Sequence, residues 1–387
     1  MAAPVQDPRP PCHRCWAEID LDALARNLGG IRSALPADIH YVAVVKADAY
    51  GHGLAPVAAA LMQAGVDCFA VANVAEAVQL REIGRGFPIL VLGPVLPEEE
   101  RPLVEHRLIG TVSSTEEIER LDRAGRALRT TASVHLKVDT GMGRLGVWHD
   151  RAAGLLEALA GRRSLRLEGL YTHFASADSD PAYTTRQRRR LLAVIEALPE
   201  ERRAGLMIHA DNSAGIDSFD SHLPFNAVRV GLLQFGVKPY AGSLLANVRV
   251  EPTFTFHARV GLIKTLPAGT PVSYGGTHRL RGDTRVAIIT AGYGDGIPLG
   301  ASNRGAVLIR GRRCPILGRV TMDQTVVGID TLPDTPPVGE TVTLIGRDGG
   351  EHLSLDAFAE QGATIPWEVL TSVTKRVPRI YRSGRQT

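Results

Sequence analysis

Between residues 41 and 231 the chain repeats one alternation, in which a short apolar run is followed by an amphipathic stretch and then by another apolar run. The runs are Tyr41–Lys46, Cys68–Ala72, Ile89–Leu92, Ile109–Val112, Val134–Val138, Leu167–His173, Met207–Ala210 and Ala227–Gly231. Helical periodicity fills the intervals, as in Leu54–Ala64, Val74–Ile83, Ser114–Ala127 and Arg186–Leu198. Continuous apolar runs of this length suit strands buried on both faces, which is the situation in a parallel sheet covered by crossover helices. Eight such strands alternating with helices predict an α/β architecture closed into a (β/α)8 TIM-type barrel. A doubly wound sheet is the alternative, disfavoured because no G-x-G-x-x-G follows the first strand.

After Tyr240 the helical pattern nearly vanishes. Short alternating runs bounded by glycine and proline take over, at Thr253–Val260, Arg285–Ala291, Ala306–Ile309, Thr325–Ile329 and Thr341–Leu344, with one helix-like piece at Leu353–Gln361. This is the signature of a mostly-β domain. A chain of 387 residues is long for one core, so the expected division is a flexible tail over 1–15, a barrel over 16–249 and a β domain over 250–387. Within the barrel range, WAEID at 16–20 reads as a short strand, followed by a helix opened by Asp20 or Asp22.

A net charge of +3 gives no large basic face, and Arg188–Arg190 sits among mixed charges as a solvated helix surface, so nucleic acid is not an expected partner. The proline-rich start lacks the apolar segment of a signal peptide, and no run approaches membrane-spanning length. The four cysteines suggest no disulfide framework. Cys12-His-Arg-Cys15 has a metal-like spacing, but a closed zinc site needs four ligands and no second pair is present. The expectation is a cytoplasmic protein without a metal.

The strand ends gather the chemistry, because in α/β barrels the C-terminal rim of the sheet carries the site. Lys46 closes the first run, with Tyr50 just beyond it. A partly desolvated lysine there has a lowered pKa and can form a Schiff base with an aldehyde cofactor, whereas a solvated lysine would merely end a strand. Lys137 lies in the fifth run and Arg144 in the glycine-rich loop after it, His173 ends the sixth, and Asn212 and Ser213 follow the seventh. Arg229 lies in the eighth, with Gly231 and Leu232 after it. Loops after strands seven and eight are the usual phosphate site of this architecture, so Ser213 and the amides of Gly231 and Leu232 are candidate phosphate donors. A Schiff-base lysine opposite a phosphate site spells pyridoxal phosphate.

With those residues in view, the chain resembles the alanine racemase family of fold-type III pyridoxal-phosphate enzymes from about Trp16 to Tyr381. The resemblance rests on AVVKADAYGHG (43–53), HLKVDTGMGRLG (135–146), YTHFASAD (171–178), VSYGGT (272–277), AGYGDG (291–296), GRVTMDQ (318–324) and RVPRIY (376–381). It implies interconversion of L- and D-alanine, with D-alanine used in peptidoglycan, by two bases on opposite faces of the α-carbon. Lys46 would hold the cofactor and serve as one base. Tyr274, reaching in from the partner subunit of a head-to-tail homodimer, would be the other, with His173 and Arg229 behind it. Arg229 would also face the pyridine nitrogen and keep it unprotonated. Tyr50, Ser213, Gly231 and Leu232 would hold the phosphate and Asn212 would lie beside them. Arg144 would meet the cofactor's ring oxygen or the substrate carboxylate, positioned by a carbamylated Lys137. Tyr293, Met322 and Asp323 would line the substrate entrance.

Two positions depart from the family pattern. Lys375 stands where relatives often carry a phosphate-contacting tyrosine, and Thr321 where many have cysteine, which leaves serine or broad-specificity racemisation as the alternative. A basic amino-acid decarboxylase would need an acid where Arg229 stands, and a cofactor carrier would not need the β-domain motifs. Tyr183, His52 and His209 read as structural.

Overall fold

The computed structural model describes residues 13–213, 223–238 and 248–384. The chain divides into two compact units, one spanning Leu21–Pro252 and the other combining the residues up to Asp20 with those from Thr253 onward.

In the first unit all eight anticipated strands form, at His40–Val44, Cys68–Val71, Ile89–Val91, Ile109–Val112, Ala132–Asp139, Leu165–Tyr171, Met207–His209 and Ala227–Val230. They pair in parallel, in chain order, and the eighth pairs back on the first, Val228 opposite Tyr41 and Val230 opposite Ala43. The seam between seventh and eighth is closed by Asn226 N–H to the Ile208 carbonyl at 3.0 Å and Arg229 N–H to the Asp211 carbonyl at 3.0 Å. The sheet is thus a barrel with no free edge. Helix starts follow local chemistry: Asn73 caps Val74–Ile83, Ser114 and Glu117 form a capping box on Thr115–Ala127, and Asp180 caps the helix whose first residue is Pro181.

Branched aliphatic layers are the usual filling of such a barrel. Here part of the interior is polar. Tyr171 of the sixth strand reaches Thr111 of the fourth at 2.7 Å, and its ring stacks on His209 of the seventh with centroids 4.6 Å apart.

The second unit is built on one long strand, Phe254–Leu266, in which Phe254, Phe256, Ala258 and Val260 alternate into the core. It pairs antiparallel with Thr341–Asp348 and with Thr284–Ile289, and irregularities after Phe256 and Val260 bend it between them. Cys15–Asp20, expected within the barrel range of 16–249, instead pairs antiparallel with Phe254–Ala258 and parallel with Arg379–Arg382. Cys15, Trp16, Ala17 and Ile19 are buried while Glu18 and Asp20 are only partly so, and Trp16 stacks on His257 with centroids 5.3 Å apart. Cys15 opens this strand and is buried, so it is not part of a tail, while Cys12 and residues 1–11 lie outside the described residues. The helix expected near 353–361 forms at Leu355–Gln361 behind a Ser354 cap, and a second, unforeseen helix follows at Pro366–Ser372.

Candidate active site

Lys46 stands at the mouth end of the first barrel strand, two residues past its last paired residue, Val44. The chain then turns through a left-handed coil, with φ between 53° and 55° at Ala47, Asp48, Ala49 and Tyr50. Each such non-glycine residue costs about 1–2 kcal/mol. Local hydrogen bonds offset the strain: Glu76 accepts from Ala47 N–H and Ala72 N–H at 2.8 Å each, and Asp48 accepts from Leu54 N–H at 2.7 Å. Strain of this kind clusters at functional sites. The coil follows Lys46, which is only partly covered at the rim, and turns Tyr50 inward, where it is buried.

Tyr50 meets the loop after the eighth strand. A β-carbon on Gly231 would lie 2.9 Å from the Tyr50 hydroxyl, and Gly231 N–H donates to Ser213 Oγ at 3.0 Å. Leu232 opens the short helical turn Leu232–Phe235. Hydroxyls of Tyr50 and Ser213 and the backbone of Gly231–Leu232 thus share a cradle that only glycine leaves open, and burial raises the Tyr50 pKa so that its hydroxyl remains a neutral donor. Asn212 forms a parallel bridge to Arg229.

Arg229 is buried and reaches no carboxylate among the described residues. Its Nη1 donates to His209 Nδ1 at 2.8 Å, and its Nη2 lies 2.9 Å from the Ala210 carbonyl, 3.0 Å from that of Thr172 and 3.2 Å from His173 Nδ1. Burial pushes its pKa down to about 10, which still leaves it a cation at neutral pH. Burial, reinforced by Arg229, pushes His173 down to about 2, so that imidazole is neutral and accepts. His209 continues inward to His135, ring nitrogen to ring nitrogen at 3.1 Å. His209, read from the sequence as structural, is therefore the nearest partner of the central guanidinium, and no sequence motif announced the contact.

Lys137 is buried with its Nζ 4.3 Å from the centre of the Tyr171 ring. Burial, then Arg229 and Arg144, hold its pKa well below that of an ordinary lysine. Lys46 is shifted the same way by burial and then by Arg144, with Glu76 opposing. The loop between Lys137 and Arg144 is shaped by Asp139, whose carboxylate accepts from the amides of Gly141, Met142 and Gly143. Tyr183 donates to the Gly141 carbonyl at 2.6 Å. A β-carbon on Gly146 would sit 2.6 Å from the Asp139 nitrogen, which explains the glycine there. Arg144 is exposed and makes no ion pair among the described residues. His52 is buried, with Nδ1 3.0 Å from the Tyr50 carbonyl and its ring against Phe235.

In the second unit, Tyr274 lies 70% exposed, with no hydrogen-bond partner for its hydroxyl among the described residues. Tyr293, Met322 and Asp323 come together: Tyr293 N–H donates to the Thr321 carbonyl at 3.0 Å and Gly294 N–H to the Met322 carbonyl at 2.9 Å. Because both carbonyls face residues 293–294, planar trans peptides turn the N–H groups of Met322 and Asp323 the opposite way. Thr321 Oγ1 is taken up by the Gln324 carbonyl at 2.7 Å. Lys375 is exposed and makes no ion pair among the described residues. Nor does any group of three or more His, Cys, Asp or Glu among the described residues suit a metal ion, and no helix there is long and apolar enough to cross a membrane.

Fold and site together define a class: a (β/α)8 barrel and a β-rich unit, with a lysine and a glycine-lined cradle of hydroxyls on one rim of the barrel. Family models place it further. Residues 19–239 match the alanine racemase N-terminal domain and residues 253–381 the alanine racemase C-terminal domain. The chain belongs to the alanine racemase family, whose members depend on pyridoxal 5'-phosphate. The alanine racemase of Halothermothrix orenii is 40% identical over 369 residues, covering 95% of this chain and 97% of that protein. That of Symbiobacterium thermophilum is 41% identical over 370 residues, covering 95% and 96%. Among solved structures, the Bacillus anthracis alanine racemase with bound L-Ala-P aligns at a TM-score of 0.89 and 36% identity over 97% of each chain. The Bartonella henselae alanine racemase with covalently bound pyridoxal phosphate aligns at 0.85 and 29%, covering 96% of this chain and 100% of that one. The family resemblance and the fold expected from sequence are both borne out.

Proposed function

We propose that this enzyme, a pyridoxal-phosphate-dependent alanine racemase, interconverts L- and D-alanine by a two-base mechanism and supplies D-alanine for peptidoglycan. The observation that carries the mechanism is the pairing of Lys46, on a strained barrel rim, with a Tyr274 left exposed and unpartnered in its own unit. A base that is idle in its own chain fits a head-to-tail homodimer in which Tyr274 of the partner subunit completes each site.

The barrel suits the cofactor. Tyr50, Ser213, Gly231 and Leu232 would hold its phosphate, since the Gly231 cradle is open only for want of a β-carbon. Arg229, with Asn212 beside it, would face the ring nitrogen, and Arg144 its ring oxygen or the substrate carboxylate. When bound, pyridoxal phosphate supplies an electron-accepting ring that renders the α-proton of an attached amino acid acidic.

The chain's own groups then move that proton. Lys46, its pKa lowered by burial and by Arg144, releases its Nζ proton more readily than an ordinary lysine, which favours the free amine a base needs on one face. Tyr274 acts on the other, with neutral His173, fixed by Arg229, as the group behind it. Arg229 cannot give up a proton at neutral pH, so it leaves the ring nitrogen unprotonated and limits how much charge the ring absorbs. Lys137, buried beside two guanidinium groups that disfavour its charged form, is set to react as the free amine with carbon dioxide, and the resulting anion would hold Arg144 in place. Tyr293, Met322 and Asp323 line the substrate entrance, and the outward amides of Met322 and Asp323 suit a carboxylate.

The test follows Cα–H exchange in heavy water, with L- and D-alanine as separate substrates. Tyr274→Phe is expected to bind cofactor normally and to slow abstraction from one enantiomer by about 10²–10⁴-fold more than from the other. Equal residual rates from both enantiomers would sink the two-base assignment. Comparable inversion of serine would move the enzyme to broad specificity.

A further inference from the structure

We infer that Arg376 is the positioning residue that sets the carboxylate-accepting edge of the β-rich unit, an inference that rests on reading Tyr293, Met322 and Asp323 as substrate-lining. One guanidinium ties three segments together. Its Nε and Nη2 donate to the two oxygens of Asp295 at 2.7 and 3.0 Å, its Nη1 to Asp323 Oδ1 at 2.8 Å, and its Nη2 also to the Met322 carbonyl at 3.2 Å. Asp295 is buried and accepts Gly292 N–H at 2.9 Å, so it is locked into the 292–295 turn that carries Tyr293. Thr374 Oγ1 donates to the Gly294 carbonyl at 2.8 Å, seating the segment that bears Arg376 against the same turn.

The consequence lies at Met322 and Asp323. Their N–H groups point outward only while the preceding carbonyls are held toward residues 292–294, and Arg376 is the side chain that grips both the Met322 carbonyl and the Asp323 carboxylate. A β-carbon on Gly294 would lie 2.7 Å from Nη2, so the turn is shaped around the guanidinium. Without it, two carboxylates, Asp295 and Asp323, lose their shared cation, and the amides lose their direction. Arg376 touches neither substrate nor cofactor in this account. It acts through the peptide groups it holds.

The experiment uses the full-length, cofactor-loaded protein and two variants, Arg376→Ala and Arg376→Lys. Propionate, the substrate without its amine, probes the carboxylate edge alone. For Arg376→Ala the KM for L-alanine and the propionate Kd are expected to rise about tenfold, with kcat within about threefold and the cofactor absorbance unchanged. Millimolar guanidinium should restore both constants, and Arg376→Lys, which keeps the charge but not the fork, should fall between. A lowered Tm with unchanged KM and propionate affinity in either variant overturns the inference, because a merely structural arginine acts that way. Should Arg376→Ala fail to accumulate, unchanged propionate affinity in Arg376→Lys overturns it equally. A wild-type protein inert toward alanine would defeat the functional reading instead, and the propionate comparison would still judge Arg376.

Discussion

Arg229 Nη1 donates to His209 Nδ1 across 2.8 Å in the closed interior of the barrel, and that one hydrogen bond fixes the protons of two imidazoles. With Nδ1 accepting, the His209 proton sits on Nε2, 3.1 Å from His135 Nδ1, which must then accept in turn. The guanidinium is therefore held from behind by a neutral relay rather than by a carboxylate.

His209→Phe should show what this arrangement is worth. The ring space is kept, but a buried, charged donor loses its acceptor, a loss of about 2–3 kcal/mol. Urea denaturation of the apoprotein reads it directly, and a change within error would mean that water replaces the imidazole.

Acid should weaken the fold through the same histidines. His173 titrates near 2 and His135 near 3 in the folded chain, against 6.5 as their ordinary value, and His209 lies well below it. Below pH 6.5 the unfolded chain takes up protons that the folded one refuses, so stability falls as pH falls, by up to about 1.4 kcal/mol per pH unit for each group. Unfolding free energies measured from pH 7 to pH 5 should show this slope, and His135→Gln should reduce it by one proton. A flat profile would mean that these imidazoles are protonated in the folded state.

Gly231→Ala tests the cradle. The added methyl would lie 2.9 Å from the Tyr50 hydroxyl, so pyridoxal phosphate affinity should drop at least about tenfold while Tm of the apoprotein barely moves. Absorbance titration with the cofactor gives the answer, and unaltered affinity would remove Gly231 from the phosphate site.

Lys137 offers a direct spectroscopic test. A buried amine whose pKa is held well below that of an ordinary lysine should take up ¹³C-bicarbonate and give a carbamate carbon signal that Lys137→Gln abolishes. A signal that survives the substitution would belong elsewhere.

Much of this was written in the chain. The eight barrel strands announced themselves because parallel strands are apolar on both faces, and Lys46 because an apolar run stops at it. Asp139 could have been read too, since an aspartate before glycine-rich sequence commonly folds the following amides onto itself. Other features were illegible for physical reasons. Alternation over Ala17–Asp20 suits a strand but does not say which sheet will accept it. Nothing in Ala47-Asp48-Ala49 signals left-handed backbone, since there is no glycine and alanine has no polar side chain to favour that region. The Arg229–His209 contact joins neighbouring strands across the barrel seam, and Arg376 meets Asp295 across 81 positions of sequence, distances over which local patterning carries no information.

The pairing of Cys15–Asp20 with Phe254–Ala258 has a bearing on biogenesis. Asp20 N–H donates to the Thr253 carbonyl at 2.9 Å, so in sequence the barrel is inserted between two hydrogen-bonded residues of the β-rich unit. About 230 residues separate that strand from its partner, and at roughly 5–20 residues per second a ribosome needs tens of seconds to make them. Through that interval the barrel can close while the earlier strand waits unpaired beside it. The β-rich unit is thus the last to be sealed, although its first strand leaves the ribosome before the barrel does.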